Sequence, residues 1–355
     1  MLSDVDVPPR GAVAVTLTSV LAAAAVVSLV LLAACGGGDG DGGSAAAPPP
    51  GAGSVTLAQR QSAAAGTAAG HALCTAVAPF YWSVGDAAGV AGEGSVGSPQ
   101  VLAGTIMAIA SASKLIYAAY VVQQRQGVPT ADDIALLRFT SGYTQFVGCT
   151  RGQTVQQCQQ ANGVSNGGLT PAQVGRFFYS GGHMQRHAVL MGLGPDTAAD
   201  LALHVQAGLG STPPVIGFGV PQPAGGMRTS AQEYGKLLRD TVGARLALHA
   251  LLGTSAVCTN PTTCASASKT PIPADESWQY SLGHWVENDP KVGDGAFSSP
   301  GAFGFYPWID AGKRWWGVLA REDMSSTGGE PDRAGMASAR CGREIRAAWL
   351  SGVAR

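Results

Sequence analysis

The sequence predicts an α+β fold, in which one antiparallel sheet is flanked by an N-terminal and a C-terminal helix and carries an inserted all-helical subdomain. Strand patterns occur in two separate regions, residues 80–101 and residues 278–320. The region between them, about residues 128–275, carries helix signals and little strand pattern. Strands joined by tight links form antiparallel sheets, so we expect both strand regions to share one sheet.

Each element of the body has a local signal. Residues 57–77 have the apolar spacing of a helix, and residues 80–101 alternate with Gly-containing turns as a hairpin does. The apolar run after Ser111 predicts a helix that stops at Gly127. Three further helix starts carry capping residues, namely Thr130, Thr170 and Ser230. Three strands and a helix close the chain, at about residues 280–286, 301–310, 314–320 and 333–351.

The chain begins with an export pattern. Residues 1–34 combine a sparse positive start at Arg10 with an apolar run that ends in Leu-Ala-Ala before Cys35. This ending resembles a lipobox, which implies cleavage before Cys35 and lipidation of its sulfur. An uncleaved membrane anchor is the alternative. Gly36 favours the outer over the inner membrane, so we expect a periplasm-facing lipoprotein of the bacterial cell envelope.

The segment after the cysteine separates the anchor from the body. Residues 35–56 are rich in Gly, Asp, Ala and Pro and predict a flexible tether. Residues 57–355 are long enough to form one large domain. The formal net charge is −1 and the charges are scattered, so nucleic acid is not expected as a partner. We expect a monomer that meets the membrane through its lipid anchor.

Six cysteines remain after Cys35, and an even number in an exported chain favours disulfides. The hypothesis pairs neighbours in sequence first: Cys149 with Cys158, Cys258 with Cys264, and the remaining Cys74 with Cys341. Six cysteines allow about fifteen pairings, so proximity alone does not decide the connectivity. A zinc site is the rival, but the chain has no Cys-x-x-Cys spacing.

Ser111 and Lys114 stand three residues apart at the start of an apolar run. On a helix this spacing places both side chains on one face. A serine becomes a nucleophile when a neighbouring base takes its proton, and a lysine can be that base if burial or a nearby charge lowers its pKa. Alone, the pattern is usually a helix cap beside a solvated lysine. It recurs at residues 266–269, where no helical run follows, so we interpret Ser111 as the functional copy.

Four motifs in order make a family resemblance specific. They lie at residues 105–114, 136–142, 178–183 and 223–231. Together they resemble the serine β-lactamase, penicillin-binding protein and esterase superfamily, closest to its class C branch. The likeness extends from about residue 81 to residue 320. It implies a β-lactamase/transpeptidase-like fold for the α+β body and a small-molecule, peptide or ester substrate.

The resemblance also implies a role for each matching residue. Ser111 would be the acylated nucleophile, Lys114 its base partner, and Tyr179 the tyrosine that shuttles the proton. Ser299 and Gly301 match the first and last positions of a triplet that lies on a sheet strand in this family.

Two positions depart from the family pattern. Gly181 stands where the family has an asparagine, and Ser299 stands where a lysine or histidine would meet a substrate carboxylate. The oxyanion hole would still form from the backbone N–H groups of Ser111 and Ala302. We therefore expect a membrane-anchored, exported serine hydrolase that cleaves an ester or amide through an acyl-enzyme on Ser111, without a cofactor or metal, rather than a β-lactamase.

Two alternatives remain open at this level. The chain could be a catalytically inactive envelope protein of the same fold that binds peptidoglycan or a protein partner, and Tyr179 could be a half-buried core residue. His183 and His187 have a spacing that could hold a metal, but no third ligand is evident, so we interpret them as neighbours on a helix face.

Overall fold

The structure is a computed structural model that describes residues 55–160, 166–210, 212–325 and 333–355. Its folded unit spans Ser54–Arg355. The predicted export segment, Cys35 and nearly all of the tether lie outside the described residues. Within the part of the chain that is described, no helix combines the length and the apolar character needed to cross a membrane.

An eight-stranded antiparallel sheet is the centre of the α+β fold. The strands, in chain order, are β1 (Phe80–Gly85), β2 (Val90–Val96), β3 (Met107–Ala108), β4 (Phe177–Phe178), β5 (Gly217–Phe218), β6 (Met227–Thr229), β7 (Val257–Cys258), β8 (Ala267–Lys269), β9 (Gln279–Tyr280), β10 (Trp285–Glu287), β11 (Ala296–Ser298), β12 (Tyr306–Ile309) and β13 (Trp316–Ala320). The large sheet has the order β2-β1-β13-β12-β11-β10-β9-β7. As the sequence predicts, its strands come from both ends of the body.

The described residues also form ten α-helices. In chain order they are α1 (Leu57–Gly70), α2 (Ala72–Thr75), α3 (Ser113–Gln124), α4 (Ala131–Leu137), α5 (Val155–Gln159), α6 (Gly182–Ala188), α7 (Ala198–Ala207), α8 (Ala231–Val242), α9 (Leu248–Leu251) and α10 (Arg333–Ser351). Side-chain caps begin several of them: Thr130 and Asp133 form a capping box at α4, and Ser230 accepts the Glu233 N–H at α8. The predicted caps at Thr130 and Ser230 therefore mark the starts of α-helices.

The terminal helices lie on one face of the sheet and α8 lies on the other. Tyr306 on β12 packs against Gly342 of α10, and Trp316 on β13 packs against Gly235 of α8. Trp316 pairs with Ile309, three residues from Tyr306, and side chains three apart on a strand point to opposite faces. Because α1 packs along α10, the first and last helices share a face, as predicted.

Two regions differ from the sequence prediction. The strand expected at residues 280–286 is a hairpin, since β9 and β10 pair antiparallel across a turn at Gly283, which has φ +70°. The inserted region is not purely helical, because it also contains β4 to β8, each of two or three residues. Strands this short carry too few residues to show an alternating pattern. The helix expected after Thr170 is a single 3₁₀ turn, Pro171–Gln173.

Two of the three predicted disulfides are formed. Cys74–Cys341 joins α2 to α10 with Cα atoms 4.8 Å apart, and Cys149–Cys158 closes a small loop. The third prediction is corrected by the structure, because Cys258 and Cys264 are free thiols. Their closeness in sequence does not fix the geometry that a disulfide needs.

Two buried histidines are held in the neutral form. The His183 Nε2 lies 3.0 Å from the Phe178 carbonyl oxygen, and the Gly253 N–H donates to the His284 Nε2 at 3.0 Å. Protonation of His284 would place a hydrogen on Nε2, and this N–H would then point at the Gly253 N–H, so the hydrogen bond between them would be lost. Burial lowers the pKa of both His183 and His284 to about 4.

These histidines make stability depend on pH. We expect the free energy of unfolding to fall as the pH is lowered from about 6.5 to about 4, because the unfolded chain then binds protons that the folded chain does not. Above that window both states are neutral, so the loss is absent. The loss reaches up to about 3 kcal/mol per histidine. Urea unfolding at several pH values measures it, and His284→Gln should give a shallower decline. Equal declines in the variant and the wild type would contradict the assignment.

Candidate active site

Ser111 lies on a tight turn at the start of α3. It occupies the 3₁₀ turn Ala110–Ala112, and the preceding Ala110 has φ +44°, a left-handed conformation that is uncommon for a residue with a side chain. The Ser113 hydroxyl donates to the Ala110 carbonyl at 2.6 Å and accepts the Met227 N–H at 3.3 Å. These bonds hold the turn that carries Ser111 against β6, and the Ser111 side chain is partly exposed.

Lys114 contacts the Ser111 hydroxyl directly. Its Nζ lies 2.8 Å from Ser111 Oγ and 2.7 Å from the Ala224 carbonyl oxygen. The side chain is only 4% exposed, so its amine is committed to this site rather than to water. The spacing of three residues predicted this pairing. The carbonyl of Ala224 was not predicted, although its segment belongs to one of the four motifs.

The structure places Tyr179 beside Lys114. The Lys114 Nζ lies 4.8 Å from the centre of the Tyr179 ring. The ring stacks on Trp285 at 5.4 Å, and the Tyr179 N–H donates to the Lys269 carbonyl at 3.0 Å. Tyr179 follows β4, which pairs with β8. The copy of the Ser-x-x-Lys pattern at residues 266–269 thus lies on a turn and a strand, where it supports Tyr179 through its backbone.

The residues after β11 pack against the turn that carries Ser111. The Ser299 hydroxyl donates to the Ser111 backbone carbonyl at 3.1 Å, and Ser299 is 3% exposed. A side chain on Gly301 would collide with the Ile109 carbonyl, so only glycine fits there. The next residue, Ala302, is partly exposed. The predicted oxyanion segment therefore lies beside Ser111, whereas Ser299 points to the backbone and not to a substrate.

A phenylalanine occupies the space next to Gly181. A Cβ on Gly181 would lie 2.8 Å from two carbons of the Phe146 ring and 3.5 Å from the Ala224 Cβ. The backbone of Gly181 has φ −68° and ψ −19°, which any residue adopts. Position 181 therefore needs a glycine because the Phe146 ring leaves no space for a side chain, and not because of its backbone conformation. The sequence did not indicate Phe146, because no local pattern connects it with position 181.

The two histidines of α6 serve the structure of the helical region. The Ser141 hydroxyl lies 2.7 Å from His183 Nδ1, whereas His187 lies between Tyr117 at 3.2 Å and Asp133 at 2.9 Å. Burial alone would raise the pKa of Asp133, but hydrogen bonds from His187 and Arg125 hold it well below its ordinary value. Among the described residues, no group of three or more potential ligands is arranged to hold a metal ion.

Comparisons with known proteins identify the fold. A scan against protein-family models gives no match, and a search of curated protein sequences gives none either. Solved structures do match. The D-amino acid amidase of Ochrobactrum anthropi has a TM-score of 0.54 and 13% identity, over 82% of this chain and 98% of its own. A D-stereospecific amidohydrolase of Streptomyces has a TM-score of 0.51 and 14% identity, over 84% of this chain and 100% of its own.

A third match comes from an archaeon. The penicillin-binding protein homologue of Pyrococcus abyssi has a TM-score of 0.52 and 14% identity, over 84% of this chain and 78% of its own. At sequence identities this low, a structural match shows a shared fold and does not show a shared substrate. The chain therefore has the fold of the β-lactamase and penicillin-binding-protein-like serine hydrolases.

Proposed function

We propose that this protein is an exported, lipid-anchored serine hydrolase that cleaves an ester or amide through an acyl-enzyme on Ser111. The observation that carries the proposal is the 2.8 Å contact between Lys114 Nζ and Ser111 Oγ, with Tyr179 beside it. A nucleophile with an adjacent proton acceptor is the arrangement that acyl transfer needs. The lipobox-like ending before Cys35 and the two disulfides support export to an oxidising compartment, the periplasmic side of the envelope.

The reaction follows from these groups. Ser111 Oγ attacks the substrate carbonyl while Lys114 and Tyr179 take its proton and pass it to the leaving oxygen or nitrogen, so that the leaving group departs neutral. Water then attacks the Ser111 ester, and the same pair accepts the proton of that water. It returns this proton to Ser111 Oγ as the bond between Oγ and the acyl carbon breaks, and the acid is released. The N–H groups of Ser111 and Ala302 would hold the negative oxygen in both steps, and such a donor contributes about 3 kcal/mol in comparable sites.

A fluorophosphonate probe tests the proposal. We expect the probe to label Ser111, located by peptide mapping, and not Ser266. Lys114→Met and Lys114→Arg should both lower the labelling rate about 10²- to 10³-fold, because arginine keeps the charge but does not release a proton. Lys269→Met is the matched control in the duplicated pattern and should label as the wild type does.

The same experiment separates the alternative function. An inactive envelope protein would give no adduct on Ser111 under any condition, and its binding to peptidoglycan would be unchanged in Ser111→Ala. Full labelling of Lys114→Arg would contradict proton transfer by Lys114 while leaving Ser111 as the nucleophile.

A further inference from the structure

The Phe146 ring is connected to the nucleophile by a short series of contacts. The ring lies against Gly181, whose neighbour Ala224 is 3.5 Å from the Cβ position of residue 181. The Ala224 carbonyl accepts the hydrogen bond from Lys114, which in turn contacts Ser111. Gly181 therefore lies between the Phe146 ring and Ala224, and the carbonyl oxygen of Ala224 binds Lys114.

The loop that carries Phe146, residues 143–149, is held in place from several sides. The Asn166 amide accepts the Val147 N–H at 2.7 Å and donates to the Gly148 carbonyl at 2.6 Å. The Cys149–Cys158 disulfide fixes the end of the loop. A Cβ on Gly182 would lie 2.6 Å from the Tyr143 carbonyl, so the loop lies directly on the start of α6. These contacts thus fix the backbone on both sides of Phe146.

Two polar side chains of the site, Lys114 and Ser299, bond within the protein. Lys114 is buried and bonded to Ser111 and Ala224, and the Ser299 hydroxyl is bonded to the Ser111 carbonyl. A substrate carboxylate placed against the Phe146 ring would lose part of its water and gain no charged partner from that ring, which is costly. An apolar acyl group placed against an aromatic ring would instead gain burial.

We propose, building on the serine hydrolase function above, that Phe146 is a specificity-determining residue that forms an apolar wall of the acyl site. The site therefore takes esters of uncharged acids and rejects acyl groups that carry a carboxylate. The substrate class is a neutral aliphatic or aromatic ester.

The charge preference is tested with two esters of similar length. We expect kcat/KM of the wild-type protein for p-nitrophenyl butyrate to exceed that for mono-p-nitrophenyl succinate by about tenfold or more, because the succinyl group adds a carboxylate. A succinate rate equal to or above the butyrate rate would overturn the inference.

The wall is tested by variants of the loop. Phe146→Ala should raise the ratio of kcat/KM for p-nitrophenyl octanoate over acetate about fivefold or more, because removing the ring opens space for a longer acyl chain. Val147→Ala is the matched control: Val147 is the next residue of the loop, and it is 74% exposed. An unchanged chain-length profile in Phe146→Ala would contradict the wall.

A double-variant cycle tests the contact itself. Gly181→Ala alone should lower kcat/KM several-fold for all esters, because its methyl group would collide with the Phe146 ring. In the Phe146→Ala background the same substitution should have little effect, and equal effects in both backgrounds would contradict the contact. Labelling of Ser111 by the small fluorophosphonate separates the two proposals. If the label appears but the profiles do not move, only this inference fails, and if Ser111 carries no label, the proposed function fails.

Discussion

Replacing Ser111 with Ala is expected to lower kcat/KM for p-nitrophenyl acetate by about 10⁴-fold or more, to the level of the uncatalysed reaction plus binding. The variant loses the oxygen that forms the acyl-enzyme, while the bond from Lys114 to the Ala224 carbonyl does not depend on that oxygen. The fold should persist, because the Ser111 hydroxyl is partly exposed and its removal deletes one hydrogen bond. Steady-state hydrolysis and urea unfolding, measured on the same samples, check both expectations.

Ser266→Ala is the matched control for that experiment. Ser266 begins the same four-residue pattern, but it is exposed and its hydroxyl lies 3.0 Å from the Cys264 sulfur. We expect this variant to keep the wild-type kcat/KM within about twofold, since it removes an exposed hydroxyl and keeps the backbone that supports Tyr179. If activity survived in Ser111→Ala and disappeared in Ser266→Ala, the nucleophile would be Ser266 and the assignment to Ser111 would be wrong.

The parts of the fold that sequence could predict are those governed by local pattern. The long amphipathic run of α10 predicted its bounds, and the caps at Thr130 and Ser230 predicted two helix starts. The turn at Gly283 was missed because its cause is tertiary. A Cβ there would lie 2.6 Å from the Ala118 Cβ and 2.7 Å from the Lys114 carbonyl oxygen. The turn thus packs so closely against α3 that only glycine fits.

The candidate site divides in the same way. Ser111 and Lys114 were predictable because one helical turn fixes their separation, and Tyr179 followed from the order of the motifs. The direction of the Ser299 hydroxyl and the place of Phe146 were not predictable. Both depend on contacts between segments far apart in sequence, such as the 3.1 Å bond from Ser299 to the Ser111 carbonyl. Motifs thus give the identity of a site residue, and long-range packing decides what it contacts.

The most destabilising single substitution outside the site is expected at Arg346. Its side chain is fully buried under the sheet, where it binds Glu287 at 2.9 Å, the Tyr306 hydroxyl at 2.7 Å and Asp294. Burial alone would lower the pKa of Arg346, but Tyr306 and the two carboxylates raise it well above its ordinary value. Glu287 is also fully buried; the Arg346 guanidinium and the Tyr306 hydroxyl donate hydrogen bonds to it, and the nearby Arg343 also interacts with its charge.

Arg346→Met should lower the free energy of unfolding by about 3–5 kcal/mol, because it removes the cation that is hydrogen-bonded to the buried Glu287 carboxylate. The double variant Arg346→Met/Glu287→Leu should recover most of that loss, since it removes both charges at once and keeps apolar volume. Arg355→Met is the matched control: its ion pair with Glu344 is exposed, and such pairs contribute less than about 1 kcal/mol. Urea unfolding of the four proteins measures all three effects. If the single and double Arg346 variants were equally unstable, the loss would come from packing against Trp308, whose ring lies 5.2 Å from the guanidinium, and not from the unpaired charge.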